Sequence, residues 1–106
     1  MGKIAERFRG DIKLAVEGLF DGNETSEAGE VDYRRQLEVL LLDGYIANVE
    51  INVHINTWFE PFYEWLPQDK HEDLYYRVDK VEIFGAEGDT ADSIDEYAWI
   101  EGELKL

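Results

Sequence analysis

The chain contains no cysteine and few basic residues: ten Lys and Arg stand against twenty-five Asp and Glu in 106 residues, a formal net charge of −15. The missing cysteines exclude disulfides, thiolate zinc sites and cysteine nucleophiles, and they fit a reducing cytosol. The acidic excess argues against direct binding to DNA, RNA or anionic lipid, because each would repel the chain. The longest apolar run, residues 39–42, is far short of a membrane span. We therefore expect a cytoplasmic protein, located in the host cytoplasm if it is phage-encoded.

Recognisable catalytic and cofactor motifs are also missing. The glycine-containing segment 85–89 would place carboxylates where a phosphate should bind, and neither His54 nor His71 has a nucleophile at a suitable spacing. A calcium loop over residues 21–32 fails because Ser26 stands where the turn needs Gly and Asp32 where a bidentate Glu is needed. With so many acids, a carboxylate pair at the separation used for glycoside hydrolysis carries little information. We expect no enzymatic activity, no catalytic residue, no metal and no cofactor.

The apolar content is high enough for a folded domain. Hydrophobic residues make up 44% of the chain and aromatic residues 13%, unlike a disordered acidic chain. We expect one domain over residues 1–106, which begins with an amphipathic helix over residues 1–20 and continues with an acidic loop over residues 21–32. The helix is predicted from apolar residues at spacings of three and four: Ile4, Phe8, Ile12, Ala15, Val16, Leu19 and Phe20.

Residues 33–106 predict an antiparallel meander of about four strands. Residues 49–56 alternate strictly between apolar and polar side chains, and Asp43-Gly44 before them favours a tight hairpin turn. We therefore interpret residues 35–42 as the partner strand, although a helical stripe also fits them. Residues 74–84 change phase near Asp79 and Lys80, which predicts a β-bulge. Residues 85–94 are predicted to be a loop and residues 97–106 the last strand. The predicted fold class is α+β, with the helix packed on the sheet.

Two groups of residues are candidate partner-binding sites. The first contains acids in the C-terminal third of the chain, and the second contains aromatic residues and acids between residues 58 and 65. Unneutralised carboxylates on a rigid sheet resemble the phosphates of a nucleic acid, and Trp and Tyr rimmed by acids suit a basic protein surface. The alternatives are a solvated acidic surface for the first group and an aromatic core for the second. The candidate residues are Glu87, Asp89, Asp92, Asp95, Glu96, Glu101, Glu103, Trp58, Glu60, Tyr63, Glu64 and Trp65.

The charge distribution leads to the functional hypothesis. Residues 1–20 carry four basic and three acidic side chains, so the other 86 residues carry a net charge of −16. We hypothesise a small non-enzymatic inhibitor, a DNA mimic that binds a basic, nucleic-acid-binding surface of a target protein such as a nuclease. Short, cysteine-free acidic chains of this kind are typical of phage anti-CRISPR and anti-restriction proteins.

Three other hypotheses stay open. One is an immunity protein or antitoxin that neutralises a basic nuclease. Another is a carbohydrate- or ligand-binding module that uses the aromatic residues between 58 and 65. The third is an acidic subunit of a larger assembly. A homodimer is possible in each case, because the weakly basic helix would offset part of the acidic repulsion.

Overall fold

Four long strands form one antiparallel sheet in the order β1-β2-β3-β4, preceded by two short helices. The computed structural model describes residues 3–20, 28–60 and 69–106. The strands are β1 (Gly29–Leu40), β2 (Ile46–Glu60), β3 (Asp69–Phe84) and β4 (Thr90–Lys105). The helices are α1 (Lys3–Arg7) and α2 (Arg9–Glu17). The predicted α+β class and the four antiparallel strands are confirmed.

The core consists of side chains from the helices and from one face of the sheet. The alternation along β2 and β3 turns every second residue to this face, which buries apolar area and leaves polar residues on the other side. The buried hydrophobic residues are Ala5, Phe8, Ile12, Val16, Phe20, Ala47, Val49, Ile51, Val53, Ile55, Leu74, Tyr76, Val78, Val81, Ile83, Trp99 and Ile100.

The N-terminal segment forms two helices instead of the single helix predicted over residues 1–20. Phe8 lies between α1 and α2 with φ −103° and ψ 9°, outside helical geometry. Each helix has its own attachment to β4. The backbone N–H of Ala5 donates to Asp92 Oδ2 at 2.9 Å, and the Arg9 guanidinium donates to the Trp99 carbonyl oxygen at 2.8 and 3.1 Å. Because each helix is bound to β4 at its own point, the direction of each helix is fixed separately.

The predicted β-bulge in β3 is confirmed. Val78 pairs with Ile51 and Lys80 pairs with Glu50, so Asp79 is an additional residue in β3. The extra residue shifts the phase of the strand, and for that reason the apolar residues on both sides of it face the core.

All four strands begin earlier than predicted: β2 and β3 begin at Ile46 and Asp69, before the predicted residues 49 and 74, and the other two begin within predicted loops. β1 begins at Gly29, inside the predicted loop 21–32, and β4 begins at Thr90, inside the predicted loop 85–94. In both places polar, acidic residues take strand conformation because they pair with a neighbouring strand, which local composition does not reveal. The Asp-Gly turn is as predicted: Asp43 and Gly44 both have positive φ, 63° and 79°.

The molecule is elongated along its strands. Its extents are 59 × 23 × 18 Å and its radius of gyration is 17.0 Å, against about 13 Å for a compact domain of this length. Strands of fifteen or sixteen residues account for the long axis. In the part of the chain that the structure describes, no helix is long and apolar enough to cross a membrane.

Candidate interaction surface

The face of the sheet opposite the helices, which we call the polar face, carries most of the polar side chains of the strands. Strand alternation and the pairing register place these side chains in rows that cross the sheet from β1 to β4. The polar face contains Asp32, Arg34, Gln36, Glu38, Asn48, Glu50, Asn52, His54, Asn56, Asp73, Tyr75, Arg77, Lys80, Glu82, Asp95, Glu101, Glu103 and Lys105.

A carboxylate at the bulge organises the centre of the polar face. Asp79 Oδ1 accepts the backbone N–H of Ala98 at 2.7 Å, and both Asp79 oxygens accept from Arg77 Nε at 2.9 and 3.0 Å. Asn52 Nδ2 donates to Asp79 Oδ2 at 3.3 Å. The Arg77 guanidinium also lies 4.4 Å from the ring centroid of Tyr97 and donates to its hydroxyl. This network holds Arg77 and Tyr97 in fixed positions on the surface.

Two further hydrogen bonds flank this centre. The Tyr75 hydroxyl donates to Glu101 Oε2 at 2.6 Å, and this hydrogen bond, together with partial burial and the Glu101 charge, raises the pKa of Tyr75 to about 12. His54 Nδ1 lies 2.7 Å from Asp32 Oδ1 on the neighbouring strand. The side chains between β1 and β4 are therefore joined across the sheet, which limits their rotamers.

Shallow grooves run between these rows. A groove of about 410 Å³ lies toward the hairpin between β1 and β2, and its polar lining consists of Gln36, Glu38, Asn48, Glu50, Lys80 and Glu82. A second groove of about 300 Å³ is lined mainly by Asp32, Arg34, Asn52, His54, Tyr75 and Arg77. Acidic, basic and amide groups alternate along both grooves, so the polar face is less uniformly acidic than the composition suggested.

A row of exposed acids, which we call the acidic strip, follows β4 and the turn before it. Its members are Glu87, Asp89, Asp95, Glu96, Glu101 and Glu103. Asp92, predicted with them, has a different position: it is 9% exposed and accepts the backbone N–H groups of Ala5 and Ser93. Its carboxylate holds the first turn of α1, so we leave it out of the strip.

The aromatic group is described in part. Trp58 is 36% exposed, and its ring stacks on His71 with centroids 5.3 Å apart and an interplanar angle of 17°. Glu60 is the last residue of β2, and its side chain lies outside the described residues. Tyr63, Glu64 and Trp65 also lie outside the described residues.

Sequence reasoning missed the cluster around the bulge. Tyr97 is 72% exposed and lies on Arg77, yet it was predicted only as the start of a strand. The available signal was a Tyr at the start of the predicted last strand, because the preceding strand carries an Arg and a predicted bulge. The pairing register that brings Arg77, Asn52 and Tyr97 together was needed to interpret it.

The described residues contain no group of three or more His, Asp or Glu side chains arranged to hold a metal ion. Comparison of the chain with protein-family models, with curated proteins and with solved structures gives no match.

Proposed function

We propose that this domain is a non-enzymatic inhibitor that acts in the cytoplasm by occupying a basic, nucleic-acid-binding surface of a target protein. The observation that carries the proposal is the combination of shape and charge. A net charge of −15 is distributed over a rod 59 Å long, about one net charge for every 4 Å. A single strand of duplex DNA carries one phosphate for every 3.4 Å or so of helix axis. The protein therefore approaches the linear charge density of one strand, and has about half that of the whole duplex, which carries one phosphate for every 1.7 Å or so.

The acidic strip is the part of the surface that fits such a groove. Four of its six acids are exposed on the edge strand β4, and side chains two residues apart on that strand, such as Glu101 and Glu103, are spaced about 7 Å apart. The sheet holds the backbone of the strip acids in β4, and the Tyr75 hydroxyl holds the Glu101 side chain, so little conformational entropy is lost there on binding. Long-range attraction between the strip and a Lys/Arg groove would accelerate the encounter.

Arg77 and Tyr97 give the proposed interface a structured centre beside the strip. Tyr97 presents a rigid exposed ring, and Arg77 lies against it with its charge neutralised by Asp79. Aromatic residues fixed in this way are the usual anchors of protein interfaces. In this proposal the helices support the sheet from behind, with their apolar sides against the core.

The proposal is tested with a charge-matched pair of variants. The strip variant carries Glu87→Gln, Asp95→Asn, Glu96→Gln and Glu103→Gln, and the control carries Asp11→Asn, Glu30→Gln, Asp69→Asn and Asp73→Asn. Both change the net charge by +4, so they differ only in location. Tagged proteins are used to capture partners from lysate at low and high salt, with DNA or RNA as competitor. We expect wild type and control to retain a nucleic-acid-binding protein that the competitor releases, and the strip variant to lose it. Equal loss by both variants, or binding insensitive to competitor and salt, would contradict the proposal.

A ligand-binding module is the second candidate, and the groove of about 300 Å³ at His54 and Tyr75 favours it. Hydrogen-bonding groups line this groove, and the stacked Trp58 lies on the same side of the sheet. Such binding depends on hydrogen bonds and stacking, so its affinity changes little with salt. A glycan array probed at low and high salt separates it from the inhibitor. An immunity protein or antitoxin against a basic nuclease would use the acidic strip in the same way, and the captured partner identifies it.

A further inference from the structure

The outer edge of β1 is a long, regular strand edge. β1 pairs with β2 over twelve residues at a constant register, without a bulge, and in the described part of the chain no strand lies on its other side. The backbone N–H of Leu41 donates to the Tyr45 carbonyl at 2.8 Å, which fixes the alternation of the ladder. The odd-numbered residues of β1 therefore bond to β2. The backbone groups of residues 30, 32, 34, 36, 38 and 40 point outward.

The opposite edge of the sheet is built differently. β4 contains four residues, 96–99, between the partners of Lys80 and Val78, and Ala98 takes a left-handed conformation with φ 54°. Such irregularities prevent edge-to-edge pairing and are a common protection of edge strands. β1 has neither a bulge nor a proline over residues 29–40. The two edges thus differ in whether they can accept another strand.

We infer that the β1 edge pairs with the β1 edge of a second copy of this chain, antiparallel and with Gln36 on the two-fold axis. In this register Arg34 lies opposite Glu38 of the second copy, and the symmetry repeats the pair. Gln36 faces Gln36, and its amide can both donate and accept. The result is a continuous eight-stranded sheet with its two acidic strips at the outer edges, as far apart as the sheet allows.

The core side of the edge also matches in this register. Tyr33 lies opposite Val39 of the second copy, and Val31, which is 42% exposed in the single chain, lies opposite Leu41. Aromatic and β-branched pairs across antiparallel strands stabilise a sheet. Pairing therefore buries apolar area on one face at these two pairs and joins opposite charges on the other at Arg34 and Glu38. The remaining pairs are mixed, with Arg35 opposite Leu37 and Asp32 opposite Leu40.

Other symmetric registers fit less well. An axis at Leu37 gives no pair of opposite charges and places Arg34 opposite Leu40. An axis at Arg34 or at Arg35 places two guanidinium groups opposite each other, and an axis at Glu38 does the same with two carboxylates. An axis at Tyr33 pairs Asp32 with Arg34 but spans only residues 29–37 and leaves Val39 without a partner. The axis at Gln36 combines the charge pairs with pairing over residues 31–41.

A charge exchange tests the pairing and its register together. Arg34→Glu and Glu38→Arg each place like charges opposite one another in the homodimer. Each should therefore raise the dimer dissociation constant, measured by sedimentation equilibrium, about tenfold or more. The double variant restores both pairs and should restore the affinity. An equimolar mixture of the two single variants should form a heterodimer in which both contacts are complementary. Circular dichroism checks that each variant is folded.

A cysteine at the axis supplies a second test, because the natural chain has none. Residues that face each other in a hydrogen-bonded pair have Cα atoms about 5.5 Å apart, within disulfide range. Gln36→Cys should form a covalent dimer on mild oxidation, while Asn48→Cys, on the polar face of β2, should not. The proposal is overturned if sedimentation equilibrium gives the mass of a monomer for the wild-type protein at concentrations up to about 1 mM. Equal cross-linking of the two variants, or single variants with unchanged dimer affinity, would also overturn it and leave the edge to a strand of another protein.

Discussion

At the scale of single residues, Gly102 shows how one missing side chain allows a large residue to be buried. Gly102 lies directly opposite Tyr76 in the β3–β4 pair. A Cβ at this position would lie 2.6 Å from the Tyr76 hydroxyl oxygen and 2.8 Å from Cζ. Burial, together with the charge of Glu17, raises the pKa of Tyr76, so the ring stays neutral. The phenol covers the glycine, and this contact fixes the middle of the sheet.

Gly102→Ala should therefore destabilise the protein by about 1–3 kcal/mol, because the ring and the opposing backbone are both fixed by packing. The free energy of unfolding is measured in urea. Gly10→Ala, in α2, is the control. A Cβ at Gly10 would have no neighbouring atom within 4 Å outside the backbone of its own helix, so this substitution should raise the free energy of unfolding by up to about 1 kcal/mol. Equal urea midpoints for Gly102→Ala and wild type would show that Tyr76 does not occupy the space over Gly102.

At the scale of the strands, Asp79 joins two irregular segments that face each other. The bulge in β3 leaves Asp79 outside the regular ladder, and the extra residues of β4 leave the Ala98 N–H without its usual strand partner. The Asp79 carboxylate accepts that N–H and also binds Arg77 and Asn52. One side chain thus supplies an acceptor for a β4 backbone N–H and binds one side chain of its own strand and one of β2.

Asp79→Ala should lower the free energy of unfolding by about 2 kcal/mol, because it leaves the Ala98 N–H and the Arg77 guanidinium without their charged acceptor. Asp79→Asn keeps one acceptor oxygen and should have a smaller effect. Glu30→Ala, at an exposed strand position, should change stability by less than about 0.5 kcal/mol. Amide hydrogen exchange gives a local readout: the Ala98 N–H should exchange faster in Asp79→Ala. Unchanged exchange there would contradict this role for Asp79.

Strand segments in which apolar and polar residues alternate could be predicted from the sequence. Strand segments without this alternation could not. The alternation of β2, the Asp-Gly turn and the phase change at Asp79 are local signals, and each gave the observed structure. The start of β1 at Gly29 and of β4 at Thr90 depends on pairing with strands distant in sequence. Composition therefore placed these acidic residues in loops.

The same distinction applies to the candidate site. The acids of β4 were chosen as candidate partner-binding residues from their charge alone. They are exposed except for Asp92, whose carboxylate holds the start of α1. The cluster of Arg77 and Tyr97 was not predicted, since residues twenty positions apart meet only through the register. Charge is visible in a sequence, while a contact between strands is not.

At the scale of the whole molecule, the charges are arranged unevenly. Exposed acids line β4, whereas the β1 side of the polar face contains ion pairs such as that of Arg34 and Glu50. The elongated sheet separates these two regions. A dimer through β1 would therefore bring the mixed edges together and turn the acidic strips outward, so self-association and target binding would use different edges of the same sheet.

This arrangement predicts that salt has opposite effects on the fold and on the complex. Fifteen unbalanced negative charges repel one another, and this repulsion destabilises the folded chain more than the expanded unfolded one. From about 0.01 M to about 1 M NaCl the Debye length falls from about 30 Å to about 3 Å. The free energy of unfolding should therefore rise over this range, by on the order of 1 kcal/mol, while the affinity for a basic target falls. The control with four neutralised acids outside the strip should show a smaller rise, because less repulsion remains to be screened. A fold that NaCl destabilises would show that the surface ion pairs outweigh the net repulsion.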